Sequence, residues 1–188
     1  MDRQPVLQGE RVLLRPLRRS DWADLFAVAS DREMWALHPS HDRWQEPVFR
    51  AFFKDALAQS GALAVVDLAS GGVIGSSRFQ GHVSGAGGDE CAQPSQVEIG
   101  WTFLSRHYWG LGYNAEIKAL MLEHALRFVD RAIFRVGADN VISRKAMLKI
   151  GGRLTGESTV EERVGRPVEH VVYEITRDSF AAGPLAIA

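Results

Sequence analysis

Residues 106–118 read RHYWGLGYNAEIK, with Gly110 and Gly112 one residue apart ahead of a run with helical character. Glycine adopts positive φ freely and lets the backbone approach a ligand closely. Amides at the start of a helix lack intrahelical partners, and the helix dipole favours negative charge there. A glycine pair between an apolar strand and a helix can therefore be a plain turn, a shortened dinucleotide-binding loop, or an amide cradle for a phosphate. Arg106 and His107 would add positive charge at its rim. GLGYNA also fits the GxGxxA form of the dinucleotide fingerprint. That fingerprint requires a turn directly off the strand and an acid about 20 residues later, at the end of the next strand. Here Ser105 to Trp109 intervene, and the acid, Asp139, comes 29 residues after Gly110. A nicotinamide-dependent oxidoreductase is thus the weaker enzyme reading.

Other reactive residue types form no comparable set. The six histidines are scattered, and the one close pair, His38 and His41, is interrupted by Pro39 and has no cysteine beside it. That argues against zinc, and no metal is expected. His124 falls among Leu120, Met121 and Leu122 and reads as helix packing. There is no GxSxG motif, which discounts a hydrolase. The single cysteine, Cys91, excludes an internal disulfide and sits in a polar glycine-rich stretch without a neighbouring base, so it reads as an incidental thiol.

The elements that must position the glycine loop follow from periodicity. QVEIGWTFL (96–104) alternates as a strand, with Val97, Ile99, Trp101 and Phe103 on one face and Glu98, Gly100 and Thr102 on the other. A helix over 113–129 has few polar positions and is expected to pack on more than one neighbour. AIFRVGAD is a further strand, and Asn140 and Ser143 open a shorter helix that Gly151-Gly152 ends. Upstream, a strand follows Gly9, a helix capped by Ser20 carries Trp22, Leu25, Phe26 and Ala29, and Pro47 opens a second helix that Gly61 stops. Between these helices MWALHPSHDRWQE reads as a loop. Two apolar runs around Gly71-Gly72 form one hairpin, and two alternating runs joined by Gly165-Arg166-Pro167 form another. The polar stretch 84–95 reads as a mobile loop. The element order is too irregular for uniform βαβ winding, so the expectation is one mixed α/β domain over residues 1–188.

With 188 residues, the chain is long enough to bury a core unaided. Apolar residues make up 46% and charged residues 24%, and 22 Lys plus Arg against 23 Asp plus Glu leave a net charge of −1. Nothing in this balance suggests nucleic acid or an anionic membrane as partner. The N-terminal residues lack the apolar core of a signal peptide, and no apolar run reaches the ~18 residues of a membrane span. A cytoplasmic location is the default expectation.

Strand, glycine loop, helix, strand, then Asn-x-x-Ser opening a helix is a layout that resembles the GNAT N-acetyltransferase superfamily, in particular its RimJ/RimL-like branch. That family's loop pattern, Gln/Arg-x-x-Gly-x-Gly/Ala, is met by His107, Tyr108, Trp109, Gly110, Leu111 and Gly112. The branch's Trp-Gly-x-Gly-Tyr followed shortly by Glu is met by Trp109 to Tyr113 and Glu116. Asn-x-x-Ser…Gly is met by Asn140, Ser143 and Gly151, and the opening GERVLLRPLRRSDWADLF is similar too. The resemblance runs from about residue 8 to about residue 177.

The resemblance implies a twisted mixed sheet of about seven strands flanked by about four helices, splayed between the fourth and fifth strands. It implies acetyl-CoA as acetyl donor, with its pantetheine arm in the splay and its pyrophosphate on the amides of His107 to Gly112, extended by Tyr113, Asn114 and Ala115. Asn140 and Ser143 would contact the cofactor, and the backbone around Ile99 to Thr102, including Trp101, would face the thioester oxygen. Direct attack by a primary amine, either a protein N-terminal amine or a small molecule, requires no protein nucleophile. Glu98 is the implied base; the competing reading is a strand carboxylate that binds substrate or pairs with an arginine such as Arg78. Trp35, His38 and Trp44 lie where related enzymes build the acceptor-side wall. Met147 stands where many members carry the tyrosine that protonates the thiolate, which leaves Ser143 as candidate donor. That substitution also keeps a non-catalytic acyl-CoA-binding module in view. The C-terminal hairpin offers an edge that could pair in a homodimer.

Overall fold

The computed structural model describes residues 1–85 and 94–186. Cys91 and the middle of the 84–95 stretch lie outside the described residues. Those described form one eight-stranded sheet in the order β1-β2-β3-β4-β5-β6-β8-β7. The strands are β1 (Leu7–Gln8), β2 (Val12–Pro16), β3 (Ala62–Asp67), β4 (Val73–Val83), β5 (Gln96–Leu104), β6 (Arg131–Gly137), β7 (Arg153–Arg163) and β8 (Arg166–Thr176). The helices are α1 (Trp22–Ala29), α2 (Glu46–Ala58), α3 (Tyr113–Ala125), α4 (Val141–Lys149) and α5 (Arg177–Ala181). The two elements beyond those expected from the sequence, β1 and α5, are two and five residues long. Neither is long enough to show a period.

Both faces of the sheet are covered, and β3 shows how. Leu63 and Val65 point into a core shared with Ile117, Met121 and Leu122 of α3 and Met147 of α4. Ala62 and Ala64 point into a second core with Leu25 of α1 and Phe49, Phe53 and Ala56 of α2. Each fully buried Leu or Phe contributes about 1.5–3 kcal/mol over its exposed state. These two layers fix α3 beneath the sheet and α2 above it.

Several boundaries differ from the sequence expectation for local reasons. Ser20 lies inside a 3-10 turn (Arg19–Asp21), and Asp21 takes the cap position of α1 while pairing with Arg15 at 2.7 Å. Helix α3 stops at Ala125 rather than at 129. The C-terminal hairpin turns on Val164 and Gly165, with φ of 50° and 69°, so Arg166 and Pro167 already belong to β8. Because β8 inserts beside β6, β7 is the edge of the sheet. Among the described residues no helix is long and apolar enough to cross a membrane.

Two irregularities concentrate on β5. It runs parallel to β6, but pairing covers only Gln96, Val97 and Glu98, against Arg131, Ala132 and Ile133. Beyond Glu98 the two strands part, which is the splay expected between the fourth and fifth long strands. On its other side β5 carries a bulge: Ser76 and Arg78 of β4 pair with Phe103 and Gly100, so one extra residue stands on β5. Trp101 sits in the bulge with φ of 52°, a left-handed conformation that costs a bulky residue about 1–2 kcal/mol. The bulge corrects the expected alternation. Val97, Ile99 and Leu104 share the α3-side core, whereas Phe103 packs with α2. Trp101 therefore joins Glu98 on the α2 face, and Thr102 turns to α3.

Candidate functional site

The glycine loop leaves β5 through a 3-10 turn, Arg106–Tyr108, and enters α3 at Gly112. Gly110 and Gly112 have φ of 76° and 84°. A side chain on Gly110 would meet nothing, so its need is conformational; one on Gly112 would also stand 3.2 Å from the Arg11 guanidinium. Arg11 donates to the Leu111 carbonyl at 2.8 Å and to Glu116 at 2.8 Å, pinning the β1–β2 turn to the start of α3. Asp67, at the end of β3, accepts from the Tyr113 and Tyr108 hydroxyls at 3.2 and 3.4 Å, and the Trp109 indole N–H bonds to the Leu104 carbonyl at 2.8 Å. These side chains hold the loop from outside. Its backbone N–H groups from Gly110 to Ala115 find no acceptor among the described residues. A run of unclaimed amides at a helix start fits a pyrophosphate, and neither glycine carries a side chain to obstruct it. His107 is exposed, while the Arg106 guanidinium is turned aside to Asp31 rather than left at the rim.

Glu98 occupies the vertex where β5 and β6 separate. It is buried (8% exposed) and pairs with Arg135 of β6. Burial raises its pKa, and Arg135 opposes that rise only in part. A carboxylate held above its ordinary range accepts a proton more readily at neutral pH. Its partner is not Arg78, which lies over the Trp101 ring and donates to Asp55 and Gln80 at 2.8 and 2.9 Å. Ile99 points into the core, so what it and Trp101 offer the splay is main chain.

On the far side of the splay, Asn140 caps α4, its side-chain oxygen accepting from the Ser143 N–H at 3.1 Å. Asn140 is buried and Ser143 half-buried, and the Ser143 hydroxyl makes no hydrogen bond among the described residues. Met147 is in the core, so the neighbouring phenol is supplied by no residue of α4. Tyr173 of β8 is buried, its hydroxyl accepting from Arg144 at 3.1 Å.

Above the sheet an open cleft of ≈ 460 Å³ lies between α2, the 40–43 segment and the β7–β8 turn. Asp42, Arg43, Phe52, Asp55, Trp101, Glu162 and Arg163 line it. Of the four residues expected to meet the acceptor, Trp35, His38, Trp44 and Glu98, none is in that lining. Trp35 is 1% exposed, and its indole N–H is spent on the Ala29 carbonyl at 2.7 Å, which makes it core rather than wall. Trp44 packs half-buried against the same core. His38 stacks edge-on against Trp35 and accepts from the Ser40 N–H at 2.9 Å; burial, with Arg43, His170 and Arg163 nearby, pushes its pKa down to about 3 and keeps it neutral.

Sequence reasoning passed over Arg135, the cleft arginines and Lys118. Lys118 of α3 is 3% exposed, and its Nζ donates to Thr102 Oγ1 at 2.5 Å and to Ser77 Oγ at 3.4 Å. The signal for it was present: it is the one charged residue adjoining Ile117, Met121 and Leu122 on the buried face of α3. Among the described residues no group of three His, Cys, Asp or Glu is placed to hold a metal ion.

Residues 11–153 match the family described as acetyltransferase (GNAT) domain. In fold the chain is similar to a GCN5-related N-acetyltransferase from Brucella melitensis (TM-score 0.78, 19% identity, 97% of this chain and 82% of that one). It is similar also to Mycobacterium smegmatis RimJ in complex with CoA-disulfide (TM-score 0.66, 19% identity, 93% and 86%). A third is the spermidine N-acetyltransferase from Vibrio cholerae in complex with CoA and spermine (TM-score 0.66, 13% identity, 92% and 99%).

Proposed function

Because the chain belongs to the acetyltransferase (GNAT) family, we propose that it passes the acetyl group of acetyl-CoA to a primary amine by direct attack in a ternary complex. The observation that carries this reading is Glu98 at the vertex of the splay, on the face of the sheet that bears the cleft. The whole chain acts as one N-acetyltransferase-like domain. The unclaimed amides of residues 110–115 hold the pyrophosphate, with His107 to Trp109 along its edge, and the pantetheine arm lies between β5 and β6 beyond Glu98. Backbone N–H of the Ile99–Thr102 bulge faces the thioester oxygen, where a donor aligned with developing charge lowers the barrier. Asn140 and Ser143 line the opposite side. The amine enters from the cleft, and Glu98 takes its proton directly or through water, with Arg135 holding the carboxylate in place.

The openness of the cleft, bordered by an exposed hairpin turn, supports the end of a peptide as acceptor over a small enclosed amine. This agrees with a RimJ/RimL-like role and with a cytoplasmic location. Its charges are mixed, Asp42, Asp55 and Glu162 against Arg43 and Arg163, and with Asp55 already paired to Arg78 they carry no preference for a polycation. The test is release of free thiol from acetyl-CoA in the presence of a peptide beginning with serine, the same peptide N-terminally blocked, and spermidine. Release with the free peptide alone is expected. Release with spermidine alone would move the acceptor to small amines. Thermal stabilisation by acetyl-CoA without release under any condition would leave a binding module, and stabilisation by NAD alone would overturn the family chemistry for this chain.

A further inference from the structure

The reaction also needs a proton for the departing thiolate, and the position where a tyrosine would be sought, Met147, is a buried thioether with no proton to give. We propose that the ammonium of Lys118 supplies this proton through the Thr102 hydroxyl. This rests on the acetyl-transfer reading above and adds a residue that reading does not use.

The geometry is specific. Lys118 rises from the second turn of α3 into the underside of the sheet, where the Phe134 ring of β6 lies 5.7 Å from its Nζ and the Thr102 hydroxyl of β5 lies at 2.5 Å. It therefore spans, from below, the two strands that have parted by that point. Thr102 is four residues past Glu98, the last residue of β5 paired with β6, and directly follows the bulged Trp101. Its Oγ1 also lies 2.8 Å from Ser77 Oγ and donates weakly to the Gly100 carbonyl at 3.4 Å, so its proton has more than one orientation open to it. The bulge makes this arrangement possible. Without the extra residue, Thr102 would share the face of Glu98 and could not reach α3.

The side chains in reach of the Lys118 Nζ are uncharged: Ser77 from β4, Thr102 from β5 and Phe134 from β6. No carboxylate or second cation contributes to its titration, and burial alone pushes its pKa down to about 7. An ammonium in such surroundings is a ready proton donor at neutral pH, and a departing thiolate whose thiol titrates at about 8.5 is a willing acceptor. A purely structural lysine buried this deeply would be expected to hold a counter-ion.

The step balances. The amine nitrogen bonds to the acetyl carbon while the carbon–sulfur bond breaks, and the amine proton passes to Glu98. The sulfur takes the Thr102 hydroxyl proton as Thr102 takes one from Lys118. Glu98, now protonated, and neutral Lys118 return to their starting states by exchange with water after the products leave.

The experiment measures kcat against pH with acetyl-CoA and the serine-initiated peptide, alongside acetyl-CoA Kd by titration, for the unsubstituted chain, Lys118→Met and Thr102→Val. The ammonium form is required, so kcat of the unsubstituted chain should decline as pH rises through the lysine's pKa. Lys118→Met should lower kcat at pH 7 by about 100-fold, abolish that decline, and leave acetyl-CoA Kd within about threefold. Thr102→Val, which keeps the shape of the strand, should reproduce a smaller part of the loss and carries the test should Lys118→Met not fold. Retention of kcat and of the alkaline decline in both variants would overturn the proposal. So would a matched loss of kcat and acetyl-CoA affinity, which would mark Lys118 as a support for the bulge. Absence of thiol release from the unsubstituted chain would overturn the acetyl-transfer reading and this proposal together.

Discussion

The glycine loop at 110–112 and the cleft above β5 border the same strand but are built in opposite ways. The loop presents main-chain amides, and its ten or so residues are consecutive; side chains from Arg11, Asp67 and Glu116 only brace it from outside. The cleft presents side chains, and they arrive from the 40–43 segment, α2, the bulge of β5 and the β7–β8 turn, more than a hundred residues apart in the chain. A site made of backbone needs only two positive φ angles in register and tolerates wide variation in neighbouring side chains. A site made of side chains depends on every element that delivers one. On the proposed reading, the half that would grip the donor is thus local and robust, and the half that would choose the acceptor is distributed and easily altered.

That contrast can be broken or sharpened by substitution. The largest effect is expected at the point where the halves meet: Glu98→Gln should lower kcat by about 10²–10⁴-fold while acetyl-CoA Kd stays within a few-fold. An unchanged kcat would remove Glu98 from the base role. Next comes Gly112→Val, which places a β-branched residue at a φ of 84° beside Arg11. Roughly 2 kcal/mol of strain should weaken acetyl-CoA binding by about 30-fold and leave the acceptor KM alone. Equal losses on both substrates would show that loop and cleft are not independent. The smallest is a shift rather than a loss. Arg135 stabilises ionised Glu98, so Arg135→Met should move the acid limb of the kcat/KM profile to higher pH. A limb that moved down, or stayed, would deny the pairing a part in tuning the base.

The same division explains what could be read before the fold was seen. The strand–loop–helix around Gly110 and the Asn140 cap were legible because each is encoded within a few consecutive residues. The cleft was not, since nothing near Arg43 in the sequence reveals that Arg163 comes beside it. Aromatic side chains misled: Trp35 looks like a wall residue by position, yet it is large enough to be worth more in the core between Ala29 and Phe103. The β5 bulge left a faint trace. Ile99 and Leu104 are five apart, an odd spacing that cannot place both on one face of a regular strand, while the ready pattern of Val97, Ile99, Trp101 and Phe103 is regular and mistaken.

The three residue pairs that join β5 to β6 have one more consequence. Among the described residues they are the only strand pairs tying five strands on one side to three on the other, so the sheet is two panels on a short seam. Amides at the seam should resist hydrogen exchange in the free protein, and those past Glu98 that face the gap rather than β4 should exchange early, as unlaced edges do. A ligand lying between the panels would add the missing rungs and slow exchange on both edges at once. On the proposed reading the reactant would be a removable strand, and the protein would be fully laced only while it has something to transfer.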